Sequence, residues 1–452
     1  MSKQVNPNLT RRTVMKGAAL GAGVLSSSLV GRVLAKGANS KVNIASVGVG
    51  GRGRSHLSGC REENIVAICD VDFGYAGGNA KSLAPKAKQF NDYRKLIDDM
   101  GKDIDGVTIC TPDHIHFPVA MHAMQAGKHV LIEKPLTQTV WEARTLQAAA
   151  HKYNVISQMG NQGHATEHIR LGKEWYEAGV LGDVKEVHGW NGGPGKSYFG
   201  DPKQFPPPKQ ETPSTMKWDL WLGPRAERPF SSYYAPRTWR AWWDFGNGPL
   251  GDWGCHTLDL PFWALDMGAP TSVQAEVGNV RFAPYIPGWS IVKWEFPARG
   301  DKPALTLTWY DGGKKPPNPV GVKKGLGGGG MYMVGDKATM MTGGRPNHGL
   351  QLTELEKFQE LKKNMPAKTH ARIEGDHWKE WIRAIKGTGP KPGSNFDYAA
   401  PLSQVLLLGT IAQQVPNKKL LWDNESGRFT NSDEANELVK ATPRKGWEYD
   451  LS

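Results

Sequence analysis

The sequence predicts a doubly wound α/β domain followed by a second domain rich in antiparallel strands. Three observations carry that prediction: a glycine-rich turn between an apolar strand and a helix, strict helix–strand alternation as far as residue 160, and strand-like alternation in the second half. At 452 residues the chain is long enough for two cores.

The glycine-rich turn comes first in the argument. The run Val42 to Val47 suits a buried parallel strand, and Gly48-Val49-Gly50-Gly51-Arg52-Gly53 follows it with G-x-G-x-x-G spacing. Gly48 permits the tight turn, Gly50 lets a pyrophosphate approach the backbone, and Gly53 lets the helix sit close to the strand. Gly51 and Arg52 complete the loop, and the helix N-terminus offers unpaired N–H groups to phosphates. Asp70 ends the second strand, Asn64 to Cys69. A carboxylate there holds both hydroxyls of an adenosine ribose and repels a 2′-phosphate, which favours NAD over NADP, with Arg52 or Arg54 able to soften the preference.

Beyond Asp70, helices are expected over 74–88, 93–100, 114–126 and 138–153, and strands over Gly106–Cys110, His129–Ile132 and Val155–Met159. Residues 41–160 therefore read as a Rossmann domain. Ligands in open α/β sheets bind at the carboxyl ends of the strands. Two loops there carry polar residues: Thr111-Pro112-Asp113-His114-Ile115-His116, from which Thr111, Pro112 and His116 are assigned to the cofactor, and Glu133-Lys134-Pro135.

Ahead of this domain, Thr10-Arg11-Arg12-Thr13-Val14-Met15-Lys16 is a twin-arginine signature, followed by the weakly apolar run Gly17 to Leu34 and the small residue Ala35. Residues 1–35 are expected to direct export to the periplasm or beyond, by a route that carries folded proteins with their cofactor bound. Export should stop when Arg11 and Arg12 become Lys, and unaltered secretion would refute the reading. The segment is too rich in Gly, Ala and Ser to suggest stable membrane insertion. Its removal takes away Lys3, Arg11, Arg12, Lys16 and Arg32 and no acid, so the formal charge falls from +12 to +7. The remaining cations are scattered, and no nucleic-acid partner is expected. Cys60, Cys69, Cys110 and Cys255 show neither a disulfide framework nor metal spacing, so no metal is expected.

In the second half, Asp252 and His256 fall at i and i+4 if Pro249 to Leu265 is helical, and so share one face. Imidazole can hydrogen-bond a carboxylate with one nitrogen and a substrate hydroxyl with the other. A long aromatic and proline-rich insertion, 192–240, reads as a lid or a subunit contact. Of 17 tryptophans, 12 fall between Trp175 and Trp309, so flat aromatic faces for a substrate are available; Trp239, Trp242, Trp243 and His188 are candidates, and Arg237 and Arg240 can reach substrate or cofactor. Strands are expected within 271–310 and 331–341, and helices over Asp376–Ile385 and Tyr398–Val415.

The glycine motif, then TPDHIH, then AGKHVLIEKPL, then the Asp-x-x-x-His helix resembles the Gfo/Idh/MocA family of glucose–fructose oxidoreductases and inositol dehydrogenases. The resemblance implies Lys134 beside the nicotinamide with Glu133 and Asn161 nearby, a cis Lys134–Pro135 bond, and Gln162 and His164 as substrate neighbours. It also implies a catalytic set of Lys134, Asp252 and His256, and an open-faced, mainly antiparallel α+β domain over 161–452 that commonly joins subunits into a homodimer or homotetramer. In the expected reaction His256, oriented by Asp252, removes the hydroxyl proton of a carbohydrate or polyol while Lys134 stabilises the alkoxide. The roles of Lys134 and His256 are exchangeable at this level. Two alternatives stand beside an NAD-dependent dehydrogenase. One is a glycoside hydrolase using transient oxidation, elimination and re-reduction, with His164, His188 or an insertion tyrosine as extra base; the other is a sugar-binding sensor without turnover.

Overall fold

A computed structural model describes residues 40–193, 199–346 and 348–451. The expected export signal, 1–35, lies outside them. The first sheet contains β1 (Asn43–Val47), β2 (Asn64–Cys69), β3 (Lys88–Phe90), β4 (Gly106–Ile109), β5 (His129–Ile132) and β6 (Ser157–Met159), all parallel, in the order β3-β2-β1-β4-β5-β6. The order reverses between β1 and β4, and a ligand crevice opens at that switch point. Strand β3 was not expected; the helix expected over 74–88 reached only its first residue, Lys88. It is a three-residue edge strand, Lys-Gln-Phe, with no buried residue, so it carries no apolar run to betray it. The helix Val140–Lys152 opens with a capping box between Thr139 and Glu142, which ties its first turn to the loop after Lys134.

Part of this sheet is covered by distant chain. Helix His377–Ile385 places Trp381 and Ile382 against Val42, Ile44 and Leu131, and Asp376 caps it by accepting from the Lys379 amide. Near the C-terminus, Tyr449 bonds the Tyr93 hydroxyl at 3.1 Å.

The second sheet contains β7 (Val184–Asn191), β8 (Ser272–Gly278), β9 (Trp289–Phe296), β10 (Leu305–Tyr310), β11 (Gly329–Gly335), β12 (Thr339–Gly343), β13 (Gln351–Leu352), β14 (Leu420–Asp423) and β15 (Arg428–Phe429). Its order is β13-β12-β11-β7-β10-β9-β8-β14-β15, antiparallel except for β7 beside β10. The buried helix Phe396–Gln414 covers one face, where the Trp294 indole donates to the Val405 carbonyl at 3.0 Å. The other face is polar, with Glu186, His188, Lys293 and Thr308 around a shallow cleft.

The helix expected over Pro249–Leu265 is two helices, Gly248–Thr257 and Asp259–Ala264. Pro261 removes the N–H that would bond to Thr257, and the axis breaks at Leu258. The insertion has its own apolar cluster, including Trp221, Phe230 and Tyr234, which Trp242 and Phe245 just beyond it complete. It docks on the first domain through Lys217 N–H to the Val71 carbonyl at 2.8 Å and Thr215 Oγ1 to Asp72 Oδ1 at 2.7 Å. No helix among the described residues is long and apolar enough to cross a membrane.

Candidate active site

The switch point, the insertion and helix Gly248–Thr257 enclose a cleft of about 740 Å³. Its nucleotide end is set by glycine geometry. Gly48 has φ +78°, and a Cβ there would stand 2.5 Å from the Cys110 carbonyl oxygen; a Cβ on Gly53 would stand 1.9 Å from the Gly48 oxygen. Only glycine allows turn, strand and helix this close. Asp70 closes the same end, its Oδ2 accepting from Val49 N at 2.9 Å and Gly50 N at 3.3 Å. Burial raises the Asp70 carboxyl, and the amides of Asp72, Val49 and Gly50 oppose that shift.

Gly48, Gly50, Gly51, Arg52, Asp70, Thr111, Pro112, Glu133 and Lys134 all border the cleft. Thr111 Oγ1 is buried there without a partner. Glu133 is fixed from below: Arg52 Nε donates to its Oε1 at 2.8 Å, and His56 Nε2 lies 3.3 Å from the same oxygen. Burial alone would raise this carboxyl, but the His56 bond and the Arg52 and Lys134 charges hold it well below the usual range. The Lys134–Pro135 peptide is cis, as expected.

At the other end Lys134 Nζ donates to Asp252 Oδ1 at 2.7 Å and to the Asp252 carbonyl at 2.8 Å. Arg240 Nε reaches the same carboxylate at 3.4 Å. Burial opposes ionisation of Asp252, yet Lys134, Arg240 and His256 together lower its pKa. One expectation is corrected here: Asp252 was to orient His256, but its hydrogen bonds go to Lys134 and Arg240, which outcompete a neutral ring as donors. His256 borders the cleft, 3% exposed, with Nδ1 buried and unpartnered. Burial first, then Lys134 and Arg345, push its pKa down to about 3, so the imidazole is neutral.

Gln162, Arg237 and Trp239 also border the cleft, whereas Gly53 and Trp243 do not, nor do His116, Asn161, His164, His188 and Trp242. His116 is buried, with Nδ1 2.9 Å from the Pro135 oxygen and Nε2 2.9 Å from the Thr111 oxygen, so that it staples the two loops together. Asn161 donates to Asp259 Oδ2 at 3.0 Å and accepts from Ser394 at 2.5 Å, and His164 Nδ1 lies 2.9 Å from Asp259 Oδ1, so both belong to a buried network. His188 stands on the open face of the second sheet, 3.3 Å from Glu186. Trp242 is packed against the insertion with its indole bonded to the Tyr233 carbonyl at 2.7 Å. In each case a polar side chain found its partner inside the fold, a contact no local spacing reveals.

Sequence reasoning passed over Asp113, Trp253 and Arg345, which border the cleft. Asp113 is 4% exposed and accepts from Asn247 Nδ2 at 3.1 Å. Burial pushes its pKa up to about 7; Arg240 and Lys134 oppose the shift and Asp252 adds to it. A folded value above the unfolded one means that folded protein binds the extra proton, so stability is full below the unfolded pKa and is lost as pH rises through about 7. Asp113→Asn should therefore gain stability over the native protein as pH rises from 4 to 8, by roughly 2–4 kcal/mol at pH 8. Urea midpoints at both pH values check this, and a pH-independent difference would refute it.

Comparison with known proteins now identifies the chain. Residues 42–161 match the model described as "oxidoreductase family, NAD-binding Rossmann fold", and residues 177–295 match the family's C-terminal alpha/beta domain, together more than half of the sequence. The chain belongs to the Gfo/Idh/MocA oxidoreductase family. This Gfo/Idh/MocA protein is 32% identical over 120 residues to levoglucosan dehydrogenase of Pseudarthrobacter phenanthrenivorans, covering 25% of this chain and 30% of that one. It is 32% identical over 149 residues to inositol 2-dehydrogenase of Salmonella typhimurium, covering 32% and 44%. The aligned part thus spans less than half the length of either relative. Among solved structures, the WlbA dehydrogenase from Bordetella pertussis in complex with NADH and UDP-GlcNAcA superposes with a TM-score of 0.60 at 16% identity, covering 85% of this chain and 98% of that one. An inositol dehydrogenase homolog from Azotobacter vinelandii, complexed with NADH and myo-inositol, gives 0.57 at 18% identity, covering 85% and 98%. At such identities the likeness is one of fold. NAD is the cofactor of the family's first domain, and the glycine cradle, Asp70 and the unpartnered Thr111 hydroxyl fit it.

Proposed function

We propose that this oxidoreductase removes hydride from a secondary hydroxyl of a carbohydrate or polyol, with Lys134, Asp252 and His256 as its reacting-end residues. The observation that carries the reading is the Lys134–Asp252 pair beside a neutral, cleft-bordering His256. NAD, when bound, supplies the hydride acceptor. His256, unprotonated, accepts the hydroxyl proton. Lys134, kept in place by two bonds to Asp252, presents its ammonium to the oxygen as negative charge develops. Arg240 shares the Asp252 carboxylate and balances its charge. The insertion, bonded to Val71 and Asp72 beside Asp70, supports a cofactor retained through turnover, in keeping with the export read from Arg11 and Arg12.

Redox-assisted glycoside cleavage is the weaker reading on position. Of the extra bases it called for, His164 is committed to Asp259 and His188 stands on the open sheet face, which leaves only an insertion tyrosine. The deciding experiment mixes purified protein and NAD with a panel of monosaccharides, disaccharides and polyols, following nicotinamide absorbance and free sugar together. Reduced nicotinamide without cleavage supports the proposal. Cleavage without lasting reduction, or silence in both channels, overturns it.

A further inference from the structure

Arg345 lies in the turn after β12 and borders the cleft. Its Nε is buried without a hydrogen-bond partner, and among the described residues its guanidinium forms no ion pair. The Trp253 ring beneath it, 5.3 Å away, contributes a cation–π contact. Arg345 is half-buried, and a cation whose Nε is shut away without a hydrogen-bond partner is best completed by an anion. The nearby carboxylates are engaged elsewhere: Asp252 with Lys134 and Arg240, and Glu133 with Arg52.

The surrounding structure fixes this cation in place. Thr257 Oγ1 donates to the Gly344 carbonyl at 2.8 Å, tying the turn to the helix that carries Asp252 and His256. On the other side Pro346 packs so tightly on Gly163 that a Cβ there would stand 2.8 Å from its Cγ. Two further unpartnered atoms belong to the same cleft, His256 Nδ1 and Gln162 Oε1. A cation with one buried unpartnered donor, an acceptor oxygen and an imidazole nitrogen are thus left unsatisfied around one volume.

We propose that the substrate is an acidic carbohydrate, a uronate-type sugar whose carboxylate is bound by Arg345. This rests on reading the cleft as a carbohydrate site. The planar fork of Arg345 takes both oxygens of a carboxylate, a geometry that an ammonium cannot copy. His256 and Gln162 then meet hydroxyls of the same ring. A neutral sugar leaves the guanidinium unsatisfied, and that discriminates against it.

Binding can be read apart from turnover by calorimetric titration of the protein with NADH, since the reduced cofactor takes no hydride from an alcohol. D-glucuronate and D-galacturonate should bind at least about tenfold more tightly than glucose and galactose. Arg345→Gln should erase that difference with little change for the neutral sugars, and Arg345→Lys should keep part of it. Equal affinities in native protein, no binding of either class, or a preference intact in Arg345→Gln would each overturn the proposal. Tighter binding of glucose 6-sulfate or 6-phosphate than of glucuronate would overturn the carboxylate assignment. Arg345-dependent uronate binding without any reduction of NAD would uphold this inference while sinking the dehydrogenase reading. Oxidation of neutral sugars without such a preference would do the reverse.

Discussion

A Lys134→Met enzyme should bind NAD normally and lose hydride transfer by roughly 10³-fold or more in kcat. Met preserves length and apolar volume but removes the ammonium that meets Asp252 at 2.7 Å. The glycine cradle and Asp70, which hold the nucleotide end, make no bond to that ammonium, so affinity for NADH should stay within about threefold of native, consistent with largely independent sites. Asp252 keeps Arg240 at 3.4 Å. The stability cost should therefore be about 1–3 kcal/mol, below that of a fully orphaned buried charge. Fluorescence titration with NADH and single-turnover absorbance separate the two effects. A variant retaining a tenth or more of native kcat would remove Lys134 from the chemistry, and loss of NADH affinity would recast it as a cofactor-binding residue.

Gly53→Ala should destroy the nucleotide end. The new methyl would stand 1.9 Å from the Gly48 oxygen and 2.8 Å from its carbonyl carbon. Both are backbone atoms of the turn, so no side chain can swing aside, and the helix must lift from the strand. We expect about 3 kcal/mol or more of destabilisation and a loss of NAD affinity of roughly 100-fold or more. Gly51→Ala is the internal comparison. Its φ is +44°, but a Cβ there meets only the Tyr75 hydroxyl at 3.8 Å, so it carries backbone strain without collision. That should cost about 1–2 kcal/mol. Thermal melts with and without NADH rank the two. Equal effects at both positions would mean that close approach at Gly53 does not set the site.

Much of the first domain was legible because its signals are local. An apolar strand followed by three spaced glycines has few other uses, and each parallel strand buried on both faces reads as a continuous apolar run, as β1, β4 and β5 do. Strand β3 has no such run and was missed. In the second sheet β7 is central, yet Glu186 and His188 face its open side, and with the exposed Lys185 they interrupt the pattern, so it was not assigned a strand. Of the expected catalytic set, Lys134 and Asp252 do meet, although the helix carrying Asp252 is far away in sequence.

What the sequence determined by itself is the nucleotide-binding half and the identity of the residues that can do chemistry. Those follow from short-range facts: which residues tolerate φ above zero, which runs are apolar, and which pairs share one helical face. Tertiary structure alone decided which polar groups remain free for a ligand. His116, Asn161 and His164 have the right chemistry, but buried polar atoms are costly unless paired, and the fold pairs them with Thr111, Pro135, Ser394 and Asp259. Asp252 was drawn to Lys134 instead of His256 because charge in a dry cleft outweighs helical proximity. Arg345 stands in an ordinary-looking turn, and only long-range packing on Thr257 and Gly163 brings its unpaired charge to the cleft.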